Sequence, residues 1–310
     1  MNDVIIIGGG AAGMTAALYT ARKNLKTMII SVDVGGQTAL PSNIENYPGY
    51  DGVNGFELMM KFQAQATKWG TEMITGKVVK LEKDGDIFKL ELESGDKHES
   101  KAIILAFGKT PRALNIPGED KFMGKGVSTC VTCDGPFYKG KTVAIVGGGN
   151  SALGGARELA DIAEKIYLVH RRDEFRGDPI EVDRVRQQPN VELVLSHVPK
   201  EVTGENVVTG LVVEDTKTNQ EKTLKVDGVF IEAGYIVDSA FLGDLVKRNE
   251  QKEVIINQLN ETSQPGIFAA GDVTNTPFKQ TVISAGEGAK AALQCHNYLT
   301  GAEVGLDWKH

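Results

Sequence analysis

Only three of the 310 residues are cysteine, two are tryptophan, and aromatic side chains make up 6% of the chain. So small and odd a cysteine count excludes a secreted disulfide scaffold and fits a reducing compartment. No apolar run approaches the length of a membrane span. The first strand-like run, Val4 to Ile7, starts after three residues and is cut at once by Gly8-Gly9-Gly10, too short for the apolar region of a secretory leader. The expectation is a cytoplasmic protein with no membrane association. Basic charge is also scarce: 34 Lys and Arg face 41 Asp and Glu, a formal charge of -7. Without a general positive field, nucleic acid is not an expected partner. What is present is an ordinary globular composition, 41% hydrophobic and 24% charged, in a chain about two average domains long.

One internal similarity organises the rest. VIIIGGGAAGMTAA at 4 to 17 matches VAIVGGGNSALGGA at 143 to 156. Each is a β-branched run that ends in a glycine cluster and opens into an Ala-rich helical stretch, so strand, tight turn and helix are written twice. The first copy reads G-x-G-x-x-G at Gly8, Gly10 and Gly13; the second reads G-x-G-x-x-A at Gly147, Gly149 and Ala152. In a dinucleotide-binding unit the first glycine makes the turn, the second lets backbone approach the pyrophosphate, and the third position stays small where helix packs on strand. The pyrophosphate then rests on the helix N-terminus. Two dinucleotides are expected. Further strand-like runs lie at Thr27 to Ser31, Phe88 to Leu92, Ala102 to Ala106, Ile166 to Val169, Val191 to Leu195, Val207 to Val213 and Gly228 to Glu232. PGIFAAGDV near the C-terminus adds a short strand and turn, before a helical run from Ser284 to Leu299. The pattern is α/β, with two Rossmann-like dinucleotide-binding domains, the second inserted into the first. Pro/Gly-punctuated crossings at Lys109 to Gly118 and Gly234 to Gly243 divide it into 1–112, 113–242 and 243–310.

The residues that close the second strand of each unit decide what the ribose carries. In the first copy that strand ends at Ser31 beside Asp33, with no arginine near, so an unphosphorylated ribose is permitted. In the second copy Ile166 to Val169 runs into His170, Arg171 and Arg172, with Arg176 close behind. Guanidinium groups bind phosphate bidentately, which fits the 2′-phosphate of NADPH. The plainer alternative is a solvated basic patch paired with Asp173, Glu174 and Asp178. With NADPH in the second site, FAD is expected in the first.

Cys130 and Cys133 are spaced C-x-x-C and precede Asp134-Gly135. Zinc needs four ligands and no second pair exists. A redox dithiol is the leading reading, because the motif permits reversible disulfide formation and can depress one thiol's pKa. Asp134 is a candidate general acid/base beside the leaving thiolate, or simply a turn residue. Cys295, in the Ala-rich C-terminal helix, is read as a buried thiol without function. His98, His197 and His310 are read as surface residues.

Together, VIIIGGGAAGMTAA, GGQT, IENYPG, CVTCDG, VGGGNSA, HRRDEFR, GIFAAGDV and KQTVISAGEGAKAA make the chain resemble the low-molecular-weight thioredoxin reductases over nearly its whole length. The resemblance implies FAD held by Gly8, Gly10, Ala11, Ala12, Gly13, Gly36, Gln37, Asn46, Asp272, Gln280 and Thr281. NADPH would be held by Asn150, Ser151, His170, Arg171, Arg172 and Arg176. It implies that Cys133 faces the flavin while Cys130 attacks the disulfide of a thioredoxin-like partner. A homodimer and a domain rotation between two electron-transfer states are further implications. A donor other than NADPH, namely NADH or ferredoxin, and a non-catalytic redox sensor are the competing expectations. An alkyl hydroperoxide reductase flavoprotein would be expected to carry an additional N-terminal thioredoxin-like region.

The chain departs from that pattern in places. Gly154-Gly155 stands where the related reductases usually carry an acidic pair, and two glycines inside a helix cost about 2 kcal/mol relative to alanine. Close packing or an approaching ligand is therefore expected there. Lys279-Gln280 replaces an Arg-Gln, and Ser31 stands where a ribose-binding acid is common, with Asp33 a substitute.

Overall fold

The computed structural model describes residues 1–41 and 43–302. The chain starts with β1 (Asn2–Ile7), α1 (Ala11–Arg22), β2 (Thr27–Ser31), α2 (Gly55–Thr67), β3 (Glu72–Thr75), β4 (Val78–Asp84), β5 (Ile87–Leu92) and β6 (Lys97–Leu105), then leaves through β7 (Thr110–Pro111). It continues with α3 (Glu119–Phe122), β8 (Val127–Ser128), α4 (Val131–Asp134), β9 (Thr142–Gly147), α5 (Asn150–Ala160), β10 (Lys165–His170), α6 (Pro179–Arg186) and β11 (Val191–Leu195). Three antiparallel strands follow, β12 (His197–Gly204), β13 (Val208–Asp215) and β14 (Glu221–Lys225), and then β15 (Gly228–Glu232) and the return strand β16 (Tyr235–Ile236). The chain finishes with β17 (Ile267–Ala269) and α7 (Thr281–Thr300). No helix among the described residues is long and apolar enough to cross a membrane.

The chain divides into two compact units, 1–110 with 237–310, and 111–236. The connecting strands β7 and β16 pair with each other. The return falls after Ile236 rather than after 242 because Val237, Leu242 and Val246 are buried in the core of the first unit, beside Ile5 and Leu105.

In the first unit the sheet order is β3-β2-β1-β6-β5-β4, with β17 also on β6. β1, β2, β3, β6 and β17 run parallel; β4 and β5 are antiparallel additions. On the edge away from β1, β6 serves two further neighbours by dividing its length, with Lys97 to Ser100 facing β5 and Ile103 to Leu105 facing β17. β1 is apolar at successive positions because both of its faces are covered. Val4 and Ile6 pack under α1 and α7, while Ile5 and Ile7 pack against Leu90, Leu105 and Val254.

The second unit repeats this logic on the order β11-β10-β9-β15-β8, all parallel. Val143 and Ile145 of β9 face Leu153, Ala156 and Leu159 of α5, while Ala144 and Val146 face Leu211, Val213 and Leu224 of the antiparallel layer.

Candidate active site

The two fingerprint turns share one packing pattern, read from what a side chain would meet at each glycine, although only Gly8 has a positive φ. A Cβ at Gly8, where φ is +114°, would lie 2.2 Å from Ala106 O, and one at Gly13 would lie 1.9 Å from Gly8 O. At Gly147 it would lie 2.3 Å from Glu232 O, and the third position is filled by the fully buried Ala152. The middle glycines differ: nothing stands within 4 Å of a Cβ at Gly149, and at Gly10 the nearest atom is Gly35 O at 3.8 Å. First and third positions are small for packing, while the second faces open space. Each turn feeds a helix whose N-cap is that middle glycine, with no side-chain cap and no acidic residue in the first turn. Helix N-termini left with free N–H donors and positive dipole ends suit an anion, so both turns fit a dinucleotide pyrophosphate.

Around the first turn the structure gathers segments far apart in sequence. Ser31 Oγ accepts the Gly9 N–H at 2.8 Å, and the Asp33 carboxylate accepts the Gly36 N–H at 3.1 Å. The Asn46 amide donates to Gln280 Oε1 at 3.0 Å, and the Thr38 and Thr281 hydroxyls are 3.2 Å apart. Gln37 is half-buried, and Ala11 and Ala12 lie buried at the start of α1. Gly271 (φ +79°) brings the Asp272 segment against α1, where a Cβ would meet Ala12 Cβ at 2.9 Å.

A residue the motifs did not single out holds that segment. Glu287 of α7 is 8% exposed, accepts the Gly271 N–H at 2.7 Å, and takes hydroxyl hydrogen bonds from Thr274 and Thr276. A second network ties Lys109 and Lys279 to one carboxylate, Glu253, at 2.9 and 3.4 Å. Burial, and then the Lys109 charge, hold the Lys279 ammonium below its usual range against the pull of Glu253. A glutamate inside an Ala/Gly-rich helix was the available signal for the first network; nothing local in sequence marked the second.

In the second unit Asn150 is committed to a reciprocal clasp: its Oδ1 accepts the Asp178 N–H at 2.7 Å and its amide donates to the Asp178 carboxylate at 3.1 Å. Ser151 is exposed in the first turn of α5. His170 is 7% exposed, stacks on Phe175, and stands where a Cβ on Gly148 would be. It therefore underlies the turn from within rather than lining open space. Burial, joined by the charges of Arg171, Arg172 and Arg176, holds its imidazole below the usual range, although its bond to the Glu174 carbonyl works the other way. The three arginines are exposed, and the Arg176 N–H donates to Gly148 O at 2.7 Å, which fastens their loop to the fingerprint turn. Among the described residues none of the three guanidiniums pairs with a carboxylate. Asp173, the nearest acid in sequence, is taken by Lys217 and Ser196.

Cys130 and Cys133 form a disulfide, with Cα atoms 5.3 Å apart. Cys130 lies two residues beyond β8 and caps α4, and its sulfur accepts the Cys133 N–H at 3.2 Å. Cys133 is the more exposed of the two residues. Ser128 Oγ takes the Cys130 N–H at 3.0 Å, and the Thr132 hydroxyl bonds Glu158 of α5 at 3.0 Å. Asp134 is half-buried and its charge reaches Tyr138, whose phenol is pushed up by burial first and then by Asp134 and Asp227. The two helix glycines divide in role: a Cβ at Gly155 would meet Val131 at 2.9 Å, so the bare backbone there lets Val131 of α4 pack close on α5, whereas Gly154 faces open space. Cys295 is buried and burial pushes its thiol far up. His98 and His197 are half-buried rather than surface residues, and His310 lies outside the described residues.

Comparison with known proteins bears on the whole of this arrangement. The family described as "Pyridine nucleotide-disulphide oxidoreductase" matches residues 2–289. An alkyl hydroperoxide reductase component of Staphylococcus aureus is 41% identical over 298 residues, 96% of this chain and 59% of that protein. The chain thus spans 59% of the length of the curated relatives it matches. Among solved structures, the thioredoxin reductase of Lactococcus lactis superposes with a TM-score of 0.93 at 36% identity, covering 97% of this chain and 100% of that one. The thioredoxin reductase of T. acidophilum gives 0.91 at 33% identity, covering 97% and 99%.

Proposed function

The chain belongs to the pyridine nucleotide-disulphide oxidoreductase family, and from that premise we propose that it is a flavoprotein that reduces the disulfide of a thioredoxin-like protein at the expense of NADPH. The observation that carries the reading is the Cys130–Cys133 disulfide set two residues past β8, in the same parallel sheet as the Gly147–Gly149 turn. FAD would be held by the Gly8–Gly13 turn, Gly36, Gln37, Asn46, Asp272, Gln280 and Thr281; the open face of Gly10 and the uncapped α1 fit it. NADPH would be held by the second turn, Ser151, Arg171, Arg172 and Arg176, with His170 and Asn150 shaping the loop around it. Bound there, FAD would supply two-electron transfer between the nicotinamide and the Cys130–Cys133 disulfide.

The protein's own part is thiol chemistry and positioning. Two electrons and two protons open the Cys130–Cys133 bond. The Cys130 thiolate attacks one sulfur of the partner disulfide and displaces the other as a thiolate, which takes up a proton. Cys133 then attacks Cys130 in the mixed disulfide, restores the internal bond and releases the second thiol. Asp134, next to Cys133 in sequence, relays protons to the departing sulfur. Because the dithiol and the nucleotide turn share one unit, that unit turns about the paired β7 and β16 crossings between the two exchanges. The setting is cytoplasmic and the assembly a homodimer.

The 41% identity to an alkyl hydroperoxide reductase component favours a second reading, in which the disulfide belongs to a peroxide-reducing partner. An anaerobic titration separates the outcomes. The purified protein is expected to be yellow, to bleach on NADPH and to turn over a thioredoxin disulfide, with Cys133→Ser inactive. A colourless polypeptide that refuses added flavin overturns the proposal. Faster bleaching by NADH overturns the 2′-phosphate assignment to Arg171, Arg172 and Arg176.

A further inference from the structure

In the sheet order β11-β10-β9-β15-β8, β10 and β11 are added on one side of β9 and β15 on the other. Such a reversal opens a crevice outside the carboxyl ends of the two strands that flank it. Those ends are Gly147 and Glu232, which stand opposite each other in the β9–β15 register. With its pyrophosphate on the Gly147–Gly149 turn and its adenosine ribose at the end of β10 beside Arg171, a dinucleotide directs its other half across β15. Adjacent strands are only about 4.8 Å apart, so Glu232 stands immediately beyond the turn.

On β15 Phe230 lies in the core under α5 and Ile231 in the opposite core. Strand alternation therefore turns Glu232 to the α5 face, the face that also carries α4 and its cysteine. Glu232 is half-buried, and among the described residues its carboxyl has no hydrogen-bond or ion-pair partner. The elements around it offer none: β8 and β9 carry no ionisable side chain, and on β13 Glu214 is paired with Lys200 while Asp215 accepts the Lys217 and Thr218 N–H groups. On α5, Arg157 pairs with Glu181 and Glu158 accepts from Thr132. An unpaired carboxyl at the mouth of a ligand crevice is placed for a ligand.

We propose that Glu232 faces the nicotinamide ring and sets the preference between its oxidised and reduced forms, an inference that rests on the dinucleotide reading above. The oxidised ring is a cation and the reduced ring is neutral. A carboxylate attracts the first and leaves the second unaffected; a protonated carboxyl favours neither. Burial pushes the Glu232 carboxyl up to about 7, so both states are populated near neutrality. Oxidised nucleotide binding then drives the carboxyl to carboxylate and one proton to solvent, a release that the reduced form does not cause.

The test is calorimetric titration of the flavin-loaded protein with NADP+ and with tetrahydro-NADP, a neutral-ring analogue that cannot give up hydride. Two buffers of different ionisation enthalpy read proton release directly. The 2′-phosphate, with a pKa of about 6, is common to both ligands, so the difference between them isolates the ring. NADP+ is expected to release more protons than the analogue at pH 6.5 and to tighten roughly fivefold or more relative to it between pH 6 and 8. Glu232→Gln is expected to bind both and to abolish the difference. Equal proton release in the wild-type protein, or an unchanged difference in Glu232→Gln, overturns the inference. Failure of the wild-type protein to bind either ligand overturns the dinucleotide reading itself.

Discussion

Alanine at Gly147 and alanine at Gly149 should do opposite things, although the positions are two residues apart. At Gly147 the new methyl would sit 2.3 Å from Glu232 O and 2.7 Å from Ala152 Cβ. Neither neighbour is the tip of a flexible side chain, so β9 and β15 must separate or α5 must lift. Overpacking of this kind costs about 1–3 kcal/mol. At Gly149, φ is -100° and ψ is -176°, which alanine adopts freely, and nothing stands within 4 Å. A glycine-to-alanine change at such a compatible site stabilises by about 0.4–1 kcal/mol through the unfolded chain. The same methyl points where the pyrophosphate must approach, so NADP+ affinity should fall at least tenfold, about 1.4 kcal/mol. Thermal unfolding and nucleotide titration of the two variants separate the effects: Gly147→Ala melts lower, and Gly149→Ala melts at or above wild type but binds weakly. Wild-type affinity in Gly149→Ala would refute the use of the second glycine as the approach point, and with it the placement of the nucleotide.

Iodoacetamide should label two cysteines in the reduced native protein and three after unfolding, because Cys295 is fully buried with its thiol far up; mass spectrometry counts them. Glu287→Ala leaves the buried Gly271 N–H without its acceptor, a loss of about 1–3 kcal/mol, and should release flavin at lower temperature than wild type, followed by flavin fluorescence. The folded Glu232 carboxyl, at about 7 against an ordinary 4.5, contributes stability that is full below 4.5 and lost as pH rises through 7. Glu232→Gln should therefore flatten the decline in melting temperature between pH 5 and 8, by about 1–2 kcal/mol once partial exposure is allowed for.

The elements read from sequence are those whose signal is local. β1, β2, β10 and β15 are largely apolar runs because parallel strands covered on both faces have little polar side to show. β3, β4, β12 and β14 gave no such run. β4 buries only Val78 and Leu81 while its Lys and Glu residues face solvent, so its identity comes from pairing with β5. The second crossing was placed late for a related reason: Val237 and Leu242 look like any short apolar segment until the core they enter is known. Gly154-Gly155 could be flagged from sequence as needing compensation, but only the packing of Val131 explains Gly155.

The sequence by itself determined the two strand-turn-helix fingerprints, the dithiol and the arginine cluster, because each needs particular residue types at fixed short spacing. Tertiary structure alone decided what those residues face. It showed Asn150 closed onto Asp178, His170 underneath its turn, Asn46 joined to Gln280 across the chain, and Glu232 brought to the reversal of the sheet. Contacts between residues tens or hundreds of positions apart depend on strand order, and strand order has no local chemical signature to read.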